Sequence, residues 1–167
     1  MQRLARLWRH ANTGSLAVRT RFSKETLRAI EQAVQACEAR HGGEIRVAVE
    51  DSLPLPDVLR GLTPRQRAIE VFGALGVWNT VHNNGVLIYL LLADRDVEIV
   101  ADRGAASGEA TQAQWDFCCR VMEAQFREGR FREGVLAGLE ALSKVLAYHP
   151  PGPPDAGNEL PDPPAVL

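Results

Sequence analysis

The stretch Gly85–Ala93, GVLIYLLLA, restricts this chain more than any other segment. It is apolar at consecutive positions, so neither face of a strand built from it can face water. Such a strand sits centrally in a sheet covered on both sides. Asp94-Arg95 then turns the chain back into DVEIVAD, Asp96 to Asp102, and the two runs read as a hairpin. Upstream, EIRVAVE (Glu44–Glu50) alternates, with Ile45, Val47 and Val49 on one face and Glu44, Arg46, Ala48 and Glu50 on the other.

Helical patterns surround these strands. Leu27, Ile30, Val34 and Cys37 recur at helical spacing after Ser23, a good N-cap, and Gly42-Gly43 stops that helix. A proline-bearing loop is expected from Leu53 to Leu62. Thr63-Pro64 with Gln66 then forms a capping box, followed by a stripe of Ala68, Val71, Phe72 and Leu75. A second box, Thr111 with Gln114, opens a helix that buries Trp115, Cys118 or Cys119, Met122 and Phe126. A last helix, from about Arg132 to Tyr148, turns Val135, Leu139, Leu142 and Leu146 inward.

The order α-β-α-β-β-α-α predicts an α/β/α sandwich: a small mixed sheet of three to four strands flanked by helices. The first two strands are expected to be parallel across a right-handed helical crossover, and the third antiparallel to the second. With 167 residues, one domain is expected over 1–148. Its first 22 residues are arginine-rich, with Leu4, Leu7 and Trp8 packed on the body. The tail, 149–167, holds seven of the ten prolines and is barred from helix or central strand.

A net charge of −2 gives no overall case for a nucleic-acid partner. No segment approaches the ~20 apolar residues of a membrane helix. The acid-free N-terminal run of Arg3, Arg6, Arg9, Arg19 and Arg21 leaves a peripheral membrane contact open. Cys37, Cys118 and Cys119 are odd in number and lack metal-ligand spacing, so free thiols in a reducing, cytoplasmic setting are expected.

The chain lacks G-x-S-x-G, Walker, H-E-x-x-H and EF-hand patterns. Topology supplies a candidate site instead. The start of the first two strands and the end of the third lie at one end of the sheet. Glu44, Trp78, Asn79, His82, Asn83, Asn84, Asp102, Arg103 and Glu109 are therefore candidates to converge there. Carboxylates with amide oxygens, here Glu44, Asn84 and Asp102, suit calcium or magnesium. Arg103 would hold a phosphate or neutralise Asp102. The same residues read equally as turn and strand-capping chemistry. Glu50, Asp94 and Asp96 are expected to solvate a turn at the opposite end.

The run NNGVLIYLLLADRDVEIVADRG, with GEIRVAVE upstream and MEAQFREGRFREGV downstream, resembles bacterial TPM-domain proteins. The resemblance extends to RFSKETLRAIEQAV, RAIEVFGALGVWNT and the terminal NELPDPP, nearly the whole chain. It implies a single-domain protein related to the TPM proteins of the thylakoid lumen, which are associated with photosystem II repair and credited with acid phosphatase activity. Some relatives bind calcium. The family's acid after the third strand falls on Asp102, and its Asn-Gly strand start on Asn84-Gly85. Where close relatives read W-D-T-E, this chain has Trp78-Asn79-Thr80-Val81, two acids fewer. Two functions follow as expectations: a non-catalytic binding or scaffold domain with a protein partner, or a divalent-cation-dependent acid phosphatase using Asp102 and Arg103.

Overall fold

The computed structural model describes residues 2–14, 16–107, 111–148 and 157–167. In chain order the elements are α1 (Gln2–Asn12), α2 (Leu16–Arg21), α3 (Lys24–Glu38), β1 (Glu44–Glu50), α4 (Leu55–Arg60), α5 (Pro64–Ala74), β2 (Gly85–Leu91), β3 (Asp96–Ala101), α6 (Gln112–Arg127), α7 (Phe131–Leu146) and β4 (Ala165–Val166).

The sheet order is β3-β2-β1-β4. β1 and β2 are parallel in the register Glu44↔Gly85, and β2 and β3 are antiparallel with Val86 opposite Ala101. All seven residues of β2 are buried, as an apolar central strand requires. One face carries Ile45, Val47, Val49, Val86, Ile88, Leu90, Val97 and Ile99 beneath the apolar sides of α3, α6 and α7. The other carries Ala48, Leu87, Tyr89, Leu91 and Val100 against α4, α5 and Leu160 of the tail. The result is an α/β/α sandwich.

Helix starts follow their capping chemistry. Ser23 Oγ accepts the Thr26 N–H at 3.2 Å. Thr63 Oγ1 accepts from Gln66 N at 3.2 Å, while Gln66 Oε1 accepts from Thr63 N at 3.0 Å. Gln114 Oε1 takes the Thr111 N–H at 2.7 Å. Each bond satisfies a donor that the first helical turn leaves orphaned.

Several details differ from the sequence expectations. The segment Leu53–Leu62 is not a plain loop. It contains α4, closed by Gly61 in the left-handed region at φ 82°. In α5, Ala68 and Val71 are buried but Phe72 and Leu75 only half-buried. In α1, Leu7 is half-buried against the second core, yet Leu4 and Trp8 are exposed. The helix is held to the body by its arginines rather than by its full apolar face.

Glu50, Asp94 and Asp96 are not solvated turn residues. Glu50 is buried and accepts from Arg67 Nε and Nη2, each at 3.0 Å. Asp94 accepts from Arg6 Nε at 2.8 Å and Arg9 Nη2 at 3.1 Å. Burial raises its pKa, but the two guanidiniums and His10 more than offset this and hold the carboxyl below its usual range. Asp96 goes the other way: burial first, then Glu98, Glu123 and Asp94, pushes it up to about 7.

The C-terminal segment is part of the sheet. Ala165 and Val166 pair in parallel with Ala48 and Val49, and Leu167 N donates to Val49 O at 3.0 Å. An edge position reconciles a strand with its flanking prolines, because the missing N–H groups are not needed on the outer side. Among the described residues, no helix is long and apolar enough to cross a membrane.

Candidate functional site

The sheet register carries the candidate residues to one end. Glu44 opposes Gly85, and Asp102 N donates to Gly85 O at 2.8 Å. Glu44, Gly85 and Asp102 thus form one row across three strands. Strand alternation puts all three on the face that carries Ala48, Leu87 and Val100. Two inter-strand spacings, about 9–10 Å, separate the Glu44 and Asp102 backbones. The middle of the row is filled: a Cβ on Gly85 would stand 1.9 Å from the Val77 carbonyl oxygen.

The two ends of the row have different environments. Asn83 lies in the left-handed region at φ 53°, a conformation asparagine tolerates better than most side chains. Its carbonyl accepts from Gly104 N at 2.8 Å and Ala105 N at 3.2 Å. The approach is so close that a Cβ on Gly104 would meet His82 O at 2.2 Å. This clasp brings Asn83, Asp102 and Arg103 together: Arg103 Nη2 donates to Asn83 Oδ1 at 3.1 Å, and Arg103 N donates to Asp102 Oδ1 at 2.7 Å. Arg103 is exposed. The trio can receive an anion on the guanidinium, since Arg103 presents a fork of donors to solvent.

Glu44 faces the tail instead. Its Oε2 accepts the N–H groups of Glu159 and Leu160, both at 3.2 Å. Burial raises its pKa, with Glu159 and Asp162 adding to the effect and the two N–H bonds opposing it. Asn84 Nδ2 donates to Gly42 O, and Asn84 N donates to Thr80 Oγ1 at 3.0 Å. Asn84 Oδ1 is buried without a protein hydrogen-bond partner among the described residues. Trp78, Asn79 and His82 are exposed on the connecting loop. Glu109 lies outside the described residues.

As a donor set for calcium or magnesium, Glu44, Asn84 and Asp102 fit poorly. The two carboxylates stand at opposite ends of a row whose centre is filled by Val77, and one is already engaged by two amides. Among the described residues, no group of three or more His, Cys, Asp or Glu side chains is arranged to hold a metal ion. The cysteines are free thiols. Burial pushes Cys118 up to about 11 and Cys119 up to about 12, so neither is a ready thiolate.

Sequence reasoning missed the tail as a component of this end. Glu159 Oε2 accepts from Val81 N at 2.8 Å, Leu160 is buried, and Asp162 accepts from Gln35 Nε2 at 2.8 Å and Asn158 Nδ2 at 2.6 Å. Arg46 Nη1 donates to the carbonyls of Pro161 and Pro163. Beside Asp162, Glu38 accepts the Ile45 N–H at 2.7 Å. Burial, with the neighbouring Glu44 and Asp162 carboxylates, pushes Glu38 up to about 8. The available signal was a leucine and an acid set among prolines, a spacing that a wholly solvated tail does not need.

Solved structures share this architecture. The NMR structure of the BA42 protein from the psychrophilic bacterium Bizionia argentinensis superposes with a TM-score of 0.74 at 30% identity, covering 87% of this chain and 94% of that one. The N-terminal domain of a P. gingivalis protein matches at TM-score 0.60 and 22% identity, over 76% of this chain and 79% of that one. The N-terminal domain of the cg2496 protein from Corynebacterium glutamicum matches at 0.55 and 17%, over 74% and 73%. At those lower identities the latter two speak to fold alone. No curated protein matches the chain. The model of the TPM domain matches residues 19–145, from α2 to the last turn of α7. This chain therefore belongs to the TPM-domain family.

Proposed function

We propose that this TPM domain is a non-catalytic binding or scaffold module that works in the cytoplasm with a protein partner. The observation that carries this reading is the engagement of Glu44. The carboxylate best placed to serve chemistry at the polar end of the sheet holds the chain's own tail through two backbone N–H groups. The exposed Asn83–Asp102–Arg103 clasp then remains as a recognition surface, with no nucleophile and base within hydrogen-bond reach of each other.

A second reading, a divalent-cation-dependent acid phosphatase, is favoured by one feature. Asn84 Oδ1 is a buried acceptor without a protein partner among the described residues, and Arg103 of the Asn83 clasp presents an anion clamp. In that reading calcium or magnesium would need Glu44, Asn84 and Asp102 brought closer than the Val77-filled row sets them, as well as release of Glu44 from the tail.

Thermal melts with EDTA, calcium or magnesium, run beside Asp102→Asn and with p-nitrophenyl phosphate turnover at acid pH, separate the two. The binding-module reading expects no metal-dependent shift and no phosphate release. A ligand at a hundredfold excess over its Kd stabilises by about 2.7 kcal/mol. A shift of that size, lost in Asp102→Asn and accompanied by turnover, would overturn the reading.

A further inference from the structure

We propose that α1 is a peripheral anchor that lays Leu4 and Trp8 on an anionic bilayer surface. The helix is docked by its charged side. Arg6 reaches Asp94 at 2.8 Å and Leu62 O at 2.9 Å, while Arg9 reaches Ala93 O and Asp94, both at 3.1 Å. His10, 3% exposed, accepts the Leu53 N–H on Nδ1 at 2.9 Å and sets Nε2 3.2 Å from Asp94.

These contacts turn part of the apolar side outward. Leu4 is 72% exposed and Trp8, one turn later on the same face, 69% exposed. α4, which packs against α1, also carries exposed leucines, Leu59 at 66% and Leu55 at 43%. A helix fixed to its own domain by Arg6, Arg9 and His10, with Leu7 half-buried but Leu4 and Trp8 turned to solvent, has only part of its apolar side covered.

Charge selects the occupant. Residues 1–24 carry Arg3, Arg6, Arg9, Arg19, Arg21 and Lys24 without an acid, and all 21 Asp and Glu residues follow. The remainder of the chain, with 13 Lys and Arg against those 21 acids, is repelled by an anionic surface. Attraction and repulsion together orient α1 toward the lipid. On α1 itself Arg3 is exposed, and the Arg9 side chain retains 47% exposure despite its contacts. Tryptophan and leucine on one side of a basic helix suit the headgroup–acyl boundary. The arginines inferred from sequence to touch a membrane are thus divided: Arg6 and Arg9 hold the helix, and the apolar pair makes the contact.

This surface rests on the binding-domain reading and adds a lipid contact to it. The test uses the full chain with vesicles of equimolar phosphatidylglycerol and phosphatidylcholine, and with phosphatidylcholine alone. Co-sedimentation is expected at least about tenfold stronger on the anionic vesicles, weakened by high salt, with a blue shift of tryptophan emission. Leu4→Ala/Trp8→Ala should lower binding about tenfold or more. Arg3→Glu, remote from the core, should lower it with an unchanged thermal melt. Absence of anionic-vesicle binding, or undiminished binding by the double variant, overturns the proposal. So does a concentration-dependent dimer abolished by that variant, which would assign the face to a second copy. Metal-dependent phosphate release would overturn the binding-domain reading separately, because no residue of α1 belongs to the polar end of the sheet.

Discussion

Arg67 grips Glu50 with two parallel bonds of 3.0 Å, and the Tyr89 hydroxyl donates to the same carboxylate at 2.5 Å. The charged group therefore lies beneath α5 with three donors on its two oxygens, on a face otherwise occupied by Leu87, Leu91 and Ala48. Glu50→Ala leaves a half-buried guanidinium and a buried phenol without their acceptor. The expected loss is about 3–5 kcal/mol in urea denaturation. Tyr89→Phe removes one donor and leaves the bidentate pair, so about 1–2 kcal/mol is expected.

Gly85→Ala places a methyl where the Val77 carbonyl already stands, 1.9 Å away. Neither β2 nor the turn after α5 can yield without breaking sheet pairing or the Val77 N to Phe72 O bond of 3.1 Å. A loss of at least about 2–3 kcal/mol is expected in chemical denaturation. Amide chemical-shift changes should centre on residues 76–85.

Leu160→Ala should loosen the tail without unfolding the sandwich. Burial of the leucine predicts a cost of about 2 kcal/mol. Hydrogen exchange is the discriminating measurement: the amides of Glu159, Leu160 and Leu167 should exchange faster while β2 stays protected.

Stability should fall as the pH rises from about 4.5 to about 8. Glu38, whose ordinary value is 4.5, titrates near 8 in the folded chain, and Asp96 near 7 instead of 3.8. The native state then binds more protons than the unfolded chain, so deprotonation favours unfolding. The contribution is complete below the unfolded pKa values and lost through the folded ones. Asp94 acts with the opposite sign, since its pKa is lowered, and its contribution is lost on acidification. Glu38→Gln keeps an acceptor for Ile45 N and places a donor beside Asp162. Melting temperatures of this variant should be flatter between pH 5 and 8 than those of the wild type.

Local chemistry made much of this fold legible. Ser23, Thr63 with Gln66, and Thr111 with Gln114 announce their helices because capping is decided within four residues. The unbroken apolar run at Gly85–Ala93 announces a central strand because no other arrangement hides both faces. The site end was legible as a topological meeting of strand ends, and Asn83, Asp102 and Arg103 do meet. The separation of Glu44 from Asp102 was not, since it depends on Val77 seating against Gly85, a contact invisible in either segment alone. Glu50, Asp94 and Asp96 look alike in sequence, as acids near strand ends. Only distant partners, Arg67 for one and Arg6 and Arg9 for another, distinguish them. Leu4 and Trp8 follow a helical period correctly, but period cannot say which side of a helix the body takes.

Arg46 meets the carbonyls of Pro161 and Pro163 across 115 and 117 positions of chain, whereas the β2–β3 hairpin closes through the short turn after Leu91. Closing a longer loop costs more entropy, so the expected order of sheet assembly runs from the hairpin to the β1–β2 crossover and ends with β4. Until that step the Ala48–Val49 stretch of the outer edge of β1 presents unpaired backbone groups, so a chain whose tail has yet to dock is expected to be more prone to edge-to-edge aggregation than the finished fold.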